Sequence, residues 1–228
     1  QMWEFVEGVR GVADACHAIT LKDNPDHATP IIAGNVSFYN ESKSGAIPPS
    51  PIVSCLGRLK DVNKAVPMHF QSSDSALLMV GERKDELGGS VYYSLHNELG
   101  ANVPKPVFEE VKNQTFSLTD CIDDGLVLSC HDIADGGIAS ALSEMTFGNG
   151  IGCDVNVESD LSTDKILFSE TGGFVLEISN ENLDSVQAVF SKHGLVAIKI
   201  GTTGGDSLQL NSVVNLSVND VKETWTNG

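Results

Sequence analysis

The fold of this chain is indicated most clearly by one stretch, Ser129-Cys130-His131-Asp132-Ile133-Ala134-Asp135-Gly136-Gly137. The apolar residues that lead into this stretch predict a strand over 126–130, and the helical spacing that follows it predicts a helix over 137–147. Strand and helix patterns alternate in the same way from residue 76 onward. A mixed order of this kind predicts an α/β or α+β fold, in which helices cover a sheet.

A polar region between His69 and Asp74 divides the chain into two predicted domains, residues 1–71 and 72–228. The predicted helices span 3–19, 88–99, 107–124, 137–147 and 182–193, with a short final helix. The predicted strands span 29–33, 52–59, 76–80, 126–130, 152–157, 173–179, 195–201, 207–210 and 213–217.

The composition is that of a packed, acidic protein. Of 228 residues 41% are hydrophobic, and 14 Lys and Arg against 31 Asp and Glu give a formal net charge of −17. Nucleic acid and anionic membrane surfaces are excluded as partners, because both require clustered Lys and Arg. A phosphorylated small molecule is not excluded, since Mg²⁺ and backbone N–H groups can hold its phosphates. No apolar run approaches the ~18 residues of a transmembrane helix.

The cysteines and the first residues indicate the cellular compartment of the protein. Five cysteines, an odd number with no C-x-x-C pair, predict free thiols in a reducing cytosol and therefore a cytoplasmic protein. The residues from Gln1 to Phe5 lack the basic start and apolar core of a signal peptide. The chain begins without an initiator Met, directly in a predicted helix, which indicates a piece of a longer protein.

The first candidate site is Gly34-Asn35-Val36-Ser37-Phe38-Tyr39-Asn40-Glu41, directly after a predicted strand. Glycine lets the main chain approach a bulky anion closely, and the amide oxygen of Asn35 is a hard ligand suited to Mg²⁺. In an extended backbone Ser37 points to the same side as Asn35, where its hydroxyl can bond a phosphate. A simple turn after a strand accounts for the same residues, so the pattern leaves both interpretations open.

The second candidate site is the turn inside the 129–137 stretch. Asp132 and Asp135 are paired carboxylates that suit Mg²⁺, beside a Gly-Gly helix start that can receive phosphate. The structural alternative makes Asp135 the N-cap of the helix and His131 a buried, hydrogen-bonded residue. A nucleophile–base pair of Cys130 and His131 is disfavoured, because consecutive strand residues face opposite sides.

A third segment, Ser169-Glu170-Thr171-Gly172-Gly173, precedes a predicted strand and either holds a ligand or forms a hairpin-like turn. The phosphate signatures G-x-x-x-x-G-K-[ST] and G-x-G-x-x-G are absent from the sequence, so a nucleotide site here is neither a P-loop nor a Rossmann site. The remaining histidines show no metal-ligand spacing.

Read together, these segments resemble the phosphoribosylformylglycinamidine synthase family, in particular its ATP-dependent synthetase component. The resemblance is carried by Val6-Glu7-Gly8-Val9-Arg10-Gly11-Val12-Ala13-Asp14-Ala15-Cys16 and by the 34–41 and 129–137 stretches, with Leu87-Gly88-Gly89-Ser90 and Ser169-Glu170 in the right order. It implies an AIR-synthetase-like fold. Residues 1–71 would be the C-terminal part of a barrel-forming N-terminal domain, and residues 72–228 a complete C-terminal α/β domain.

The resemblance also implies an activity. Members of the family convert formylglycinamide ribonucleotide to its amidine with ATP, Mg²⁺ and ammonia from glutamine, by phosphorylating the formamide oxygen and displacing the phosphate with ammonia. The full synthetase is longer and internally duplicated, and this chain resembles the end of its second half. The implied partners are the missing N-terminal half of the same chain, a separate glutaminase subunit and a small bridging subunit. Self-association of the fragment through an exposed sheet edge is a further expectation.

Roles for single residues follow from the resemblance. Gly34 would contact ATP, Asn35 would ligate Mg²⁺, and Ser37 would touch the substrate. Asp132, with Asp135 beside it, would line a second, pseudo-symmetric nucleotide site. The catalytic His, the ATP-binding Lys and the main acidic Mg²⁺ ligands of the family belong to the first half. No catalytic residue is therefore expected in this chain, and the chain alone is expected to be inactive.

Two alternatives stay open at this point. The chain could be a nucleotide-binding or assembly module of the same superfamily that performs no chemistry. A small-molecule kinase such as thiamine-phosphate kinase is disfavoured, because those kinases do not share the 34–41 string. One departure from the family is a longer connection at Leu21–Thr29.

Overall fold

The computed structural model describes residues 2–35 and 41–228. Helices in these ranges are α1 (Met2–Ala18), α2 (Val91–Leu95), α3 (Phe108–Asp123), α4 (Gly137–Thr146), α5 (Thr163–Phe168), α6 (Leu183–Lys192) and α7 (Val218–Asn227). The strands are β1 (Glu41–Ser42), β2 (Gly45–Ala46), β3 (Ala76–Val80), β4 (Ser129–Asp132), β5 (Cys153–Val155), β6 (Phe174–Ile178), β7 (Ala197–Thr203), β8 (Ser207–Leu210) and β9 (Val214–Ser217).

One sheet of seven strands organises the chain from residue 76 onward, in the order β4-β6-β3-β7-β5-β8-β9. Its neighbouring strands are antiparallel except β5 and β8, which are parallel. Because β3 and β4 are both antiparallel to β6, which lies between them, they run parallel to each other. The C-terminal ends of β3 and β4 and the N-terminal end of β6 therefore meet at one edge of the sheet.

Helices cover both faces of this sheet. Leu77 and Met79 of β3 belong to a core cluster that includes residues of α4 and α5. Ala76, Leu78 and Val80 belong to a second cluster with residues of α3 and α6. All of β3 is buried, as expected of a strand that is covered on both faces. The predicted mixed α/β architecture is confirmed.

The two strands predicted before residue 60 are not formed, and that prediction was wrong. Residues 29–33 and 52–59 lie outside the helices and strands of the structure. Their apolar side chains are exposed: Ile32 is 80% exposed, Ile52 97% and Leu56 90%. An apolar run shows that a segment suits a sheet, but the backbone hydrogen bonds of a strand must come from a neighbour. Nothing in the described part of the chain supplies that neighbour.

Polar contacts join the first part of the chain to the sheet domain. No residue of α1 is buried. The Nζ of Lys22 donates to Thr119 Oγ1 at 2.8 Å and to Asp120 Oδ1 at 2.6 Å, and the Nζ of Lys64 donates to the carbonyl of Asp123 at 2.6 Å. Both lysines bind the C-terminal half of α3, where the helix dipole favours positive charge.

Smaller differences concern the helices and the thiols. The helix predicted over 88–99 is limited to α2, since Asn97 and Gly100 take positive φ values of 57° and 69°, and α5 was not predicted. All five cysteines are free thiols, as expected. The helices of the described residues include none with the length and hydropathy of a membrane-spanning segment.

Candidate functional site

Three of the sequence segments meet at the sheet edge defined above. The loop that follows β3 contains Leu87–Ser90, the turn that follows β4 contains Asp132–Gly137, and the segment before β6 is Ser169–Gly173. They are far apart in sequence, and they come together because the ends of β3, β4 and β6 share one edge. This edge is the candidate site of the C-terminal part of the chain.

Glu170 joins the three segments. Its Oε1 accepts hydrogen bonds from the backbone N–H of Val91 at 2.8 Å and of Gly136 at 2.9 Å. Val91 is the first residue of α2 and Gly136 is the N-cap of α4. Negative charge is favoured at helix N-termini. The carboxylate of Glu170 thus occupies the helix start at which the sequence pattern predicts a phosphate.

The Gly136–Gly137 pair shapes the start of α4. Both residues lie in the left-handed region, with φ values of 76° and 69°. A Cβ on Gly137 would lie 2.6 Å from the carbonyl oxygen of Leu167, and one on Gly136 would clash with Ser140 Oγ. The N-cap is Gly136, with no side-chain cap, so the prediction that Asp135 caps the helix was wrong. The left-handed glycine makes the turn by itself and leaves Asp135 exposed.

The two aspartates of this turn face solvent. The side chain of Asp132 is 65% exposed, and its Oδ1 lies 3.4 Å from Nδ1 of His131. His131 itself is mostly buried, and its ring nitrogens lie 2.7 Å from the Asp132 carbonyl oxygen and 3.0 Å from Glu144 Oε2. The structural alternative is confirmed in that His131 is hydrogen-bonded, although its ring is partly rather than fully buried, and the side chains of both aspartates are exposed to solvent.

Cys130 and His131 face opposite sides of β4, as the alternation of a strand requires. Cys130 packs against the core that includes α3 and α6, whereas His131 contacts Glu144 of α4. Burial, with a smaller contribution from Asp132, raises the pKa of the Cys130 thiol. A partly buried thiol with a raised pKa is a poor nucleophile, and the opposite orientations of the two side chains speak against a nucleophile–base pair.

The buried side chain of Arg83 is hydrogen-bonded to the backbone of the segment before β6. It is 4% exposed, and its Nη2 donates to the Gly172 carbonyl at 2.7 Å and its Nη1 to the Ser169 carbonyl at 3.3 Å. Burial lowers the pKa of Arg83 to about 10, although Glu86 raises it, so the guanidinium is charged at neutral pH. Thr171 Oγ1 adds a 2.7 Å hydrogen bond to Glu86 Oε2.

Sequence reasoning missed Arg83 and the role of Glu170. Arg83 stands in the charged run Glu82-Arg83-Lys84-Asp85-Glu86, which is typical of a solvated loop. Glu170 was recognised only as part of a segment that either holds a ligand or forms a turn. The Gly-Gly pairs at 88–89, 136–137 and 172–173 are the signal in the sequence that the backbones of these loops approach closely.

Gly34 and Asn35 lie exposed in the first part of the chain. A Cβ added to Gly34 would meet no atom within 4 Å, and its φ is outside the left-handed region. The described chain therefore gives no steric reason for a glycine there. Ser37 lies outside the described residues. No hydrogen bond or ion pair between described residues joins Gly34 or Asn35 to Asp132 or Asp135.

The described residues contain no group of three or more His, Cys, Asp and Glu side chains that could hold a metal ion. Asn35 and Asp132 can each offer oxygen ligands, and Mg²⁺ bound at either would complete its coordination with water, phosphate or groups outside the described residues. Two cavities, of about 300 Å³ and about 460 Å³, are lined by other residues. The fit to Mg²⁺ is thus partial at each predicted position.

Comparisons with known proteins agree with this picture. The family described as AIR synthase related protein, C-terminal domain, matches residues 72–211. Phosphoribosylformylglycinamidine synthase subunit PurL of Methanothrix thermoacetophila is 36% identical over 99% of this chain, which spans 30% of that protein. The subunit PurL of Thermoplasma acidophilum is 36% identical over 100% of the chain, which spans 29% of it. The resemblance predicted from the sequence motifs is confirmed.

Solved structures confirm the fold. PurL of Thermotoga maritima complexed with FGAR matches with a TM-score of 0.60 and 16% identity, over 71% of this chain and 30% of that one. PurLQS of Thermotoga maritima matches with a TM-score of 0.57 and 18% identity, over 71% of this chain and 28% of that one.

Proposed function

The chain belongs to the family of AIR synthase-related proteins, and from this premise we propose that it is part of an ATP-dependent carbon–nitrogen ligase. The ligase converts formylglycinamide ribonucleotide, ATP and glutamine-derived ammonia to formylglycinamidine ribonucleotide, ADP and phosphate, in purine biosynthesis. The formamide oxygen takes the terminal phosphoryl group of ATP to give an iminophosphate and ADP, and ammonia then displaces phosphate. The observation that carries the proposal is the 36% identity to a PurL subunit across 99% of the chain.

Within that reaction the chain supplies binding groups. Gly34 contacts ATP, the amide oxygen of Asn35 is one Mg²⁺ ligand, and Ser37 contacts the substrate. The unexplained glycine at position 34, with open space where a Cβ would stand, supports a close approach of ligand there. Bound Mg²⁺ supplies charge neutralisation for the phosphates of ATP. The groups that transfer protons are not on this chain, which is therefore inactive alone.

The second nucleotide site is proposed at Asp132 and Asp135. Both side chains are exposed next to a helix start, which supports a ligand there. Because Glu170 already accepts from the N–H of Gly136, we do not place phosphate on that amide. Phosphate at this site is held through Mg²⁺ on the two aspartates.

The missing remainder of the protein is the first partner. The chain spans about 30% of the length of the curated relatives it matches, and its first part exposes Ile32, Ile52 and Leu56. Exposed apolar surface of this kind marks an interface. We assign it to the N-terminal half of the same protein. In the absence of that half, the same surface promotes self-association. A glutaminase subunit and a small bridging subunit complete a cytoplasmic assembly, and one matched structure is a PurLQS complex.

Asn35→Ala in the full-length protein tests the proposal. The loss of one Mg²⁺ ligand should lower ammonia-dependent ADP release roughly 100-fold or more, with the melting temperature unchanged. The matched control is Asn219→Ala on α7, which removes an exposed asparagine that is not among the predicted ligands. ADP release that is equal in the two variants would exclude Asn35 as a ligand, and a wild-type protein that releases no ADP would favour the alternative, a module that binds nucleotide or assembles without chemistry.

A further inference from the structure

We infer that Glu170 is a positioning residue, whose carboxylate holds the Asp132–Asp135 turn in the conformation that binds Mg²⁺-nucleotide. The inference rests on the proposed second nucleotide site. It assigns to Glu170 no contact with the ligand.

The turn is hydrogen-bonded to the segment before β6 at both of its ends. The N–H of Ile133 donates to the Gly173 carbonyl at 2.8 Å, and the N–H of Gly136 donates to Glu170 Oε1 at 2.9 Å. The proposed ligands Asp132 and Asp135 stand directly before these two donors in sequence. The spacing of the two aspartates therefore depends on both bonds, and only the bond to Glu170 comes from a side chain.

The segment that carries Glu170 is fixed independently of the turn. Arg83 holds the carbonyls of Ser169 and Gly172, and Ser169 Oγ donates to the Lys84 carbonyl at 2.7 Å. Since none of these contacts involves a residue of the turn, Glu170 presents its carboxylate from a segment that is fixed on its own side. A support of this kind is what a precise ligand geometry requires.

The contacts of Glu170 also show how it differs from a metal ligand. One carboxylate oxygen of Glu170, Oε1, accepts the hydrogen bonds from both the Gly136 N–H and the Val91 N–H. The amide oxygen of a glutamine can accept the same two hydrogen bonds, whereas alanine cannot. Glu170 belongs to no group of three or more metal-binding side chains among the described residues. A positioning role and a ligand role therefore predict different results for Glu170→Gln.

The experiment compares Glu170→Gln, Glu170→Ala and Asp132→Ala with the wild type in the full-length protein. Equilibrium binding of ADP with Mg²⁺ is measured, together with amide hydrogen exchange in peptides that cover 133–137 and 89–92. Glu170→Ala should weaken ADP binding at the second site about 10- to 100-fold and speed exchange in both peptides. Glu170→Gln should weaken it only about two- to fivefold, from the loss of charge at the helix start. The control is Glu158→Ala, at an exposed glutamate.

Equal losses in the glutamine and alanine variants would overturn the inference, because they would show that the charge of Glu170 matters rather than its hydrogen bonds. Faster exchange in Glu170→Ala with unchanged ADP affinity would overturn it as well. If Asp132→Ala binds ADP like the wild type, the second site itself is refuted, and the inference fails with it. If only Asp132→Ala loses ADP, the site stands and the inference alone fails.

Discussion

Glu177 is a carboxylate in the interior of the sheet, and its replacement tests how the two parts of the chain are joined. It lies on β6 with 0% exposure. Its Oε2 accepts from the Gln71 N–H and from Ser129 Oγ, both at 2.7 Å, and its Oε1 accepts from the Ser72 N–H at 2.9 Å. Gln71 and Ser72 flank the predicted domain boundary, and Glu177 binds the backbone on both sides of it.

The loss of unfolding free energy in Glu177→Ala can be worked out from the hydrogen bond that each donor loses. In Glu177→Ala the hydroxyl of Ser129, which is buried, has no acceptor left, at a cost of about 1–3 kcal/mol. Gln71 and Ser72 are exposed residues, so water can replace part of their bonds, and each amide loses about 1 kcal/mol. The expected loss of unfolding free energy is therefore about 3–5 kcal/mol. The side chain of Glu177→Gln keeps one acceptor oxygen, but its NH₂ group replaces the other oxygen and then opposes a backbone N–H donor. This variant should lose about 1–2 kcal/mol of unfolding free energy.

Urea unfolding of the 228-residue chain, followed by circular dichroism, measures these losses. The matched control is Glu223→Gln on α7, where the side chain is exposed and the change should stay within about 0.5 kcal/mol. The Ser129→Ala variant supplies a double-mutant cycle, with a coupling of about 1 kcal/mol or more to Glu177→Ala. A loss below about 1 kcal/mol for Glu177→Ala would refute the reasoning, since it would mean that the three hydrogen bonds contribute almost nothing net.

Other consequences can be measured on the same chain. Gly137→Ala should lower the unfolding free energy by at least about 1 kcal/mol more than Gly125→Ala. Both glycines have a φ of 69°, but only a Cβ at 137 would meet a backbone atom, the Leu167 carbonyl oxygen. Equal losses in the two variants would contradict this close approach. Burial raises the pKa of Cys153 from 9.0 to about 12. The unfolded chain therefore loses this proton first, and stability should fall above about pH 9, by about 1.4 kcal/mol per pH unit for this thiol. Cys153→Ala should make the alkaline slope shallower in urea titrations, and an unchanged slope would contradict the assignment. In the folded chain a thiol reagent should modify exposed Cys55 well before Cys153, as peptide mass spectrometry would show, and equal rates would count against the burial of Cys153.

The interior of the sheet domain could be predicted from the sequence because local pattern and tertiary environment agree there. The run Ala76–Val80 is apolar at every position and becomes a strand with those bounds, buried on both faces. The helical spacing at 137–147 likewise becomes α4, whose buried side chains line one core. In both places the partners that cover the element lie within the chain.

The helix α1 in the first part of the chain was predicted, but the two strands predicted there are not formed, because no described segment pairs with either of them. Residues 29–33 and 52–59 have the composition of strands, yet neither is paired in the described structure. A strand forms only when a neighbouring segment pairs with it, so its stability depends on that neighbour as much as on its own β-propensity. The exposed Ile32 and Ile52 show which faces a neighbour would cover.

The candidate site shows a second limit of sequence reasoning. A Gly-Gly pair before a helix predicts an anion at the helix start, and the structure does place an anion there, the carboxylate of Glu170. The N–H groups of a helix start attract a phosphate and a side-chain carboxylate for the same electrostatic reason. Glu170 is 34 residues from Gly136 and 79 from Val91, so no local pattern connects them. Only the antiparallel register of β4 and β6, which brings their loops to one edge, decides between the two anions. For this reason the proposed second site has Mg²⁺ on the exposed aspartates hold the phosphate, rather than the N–H groups of the helix start.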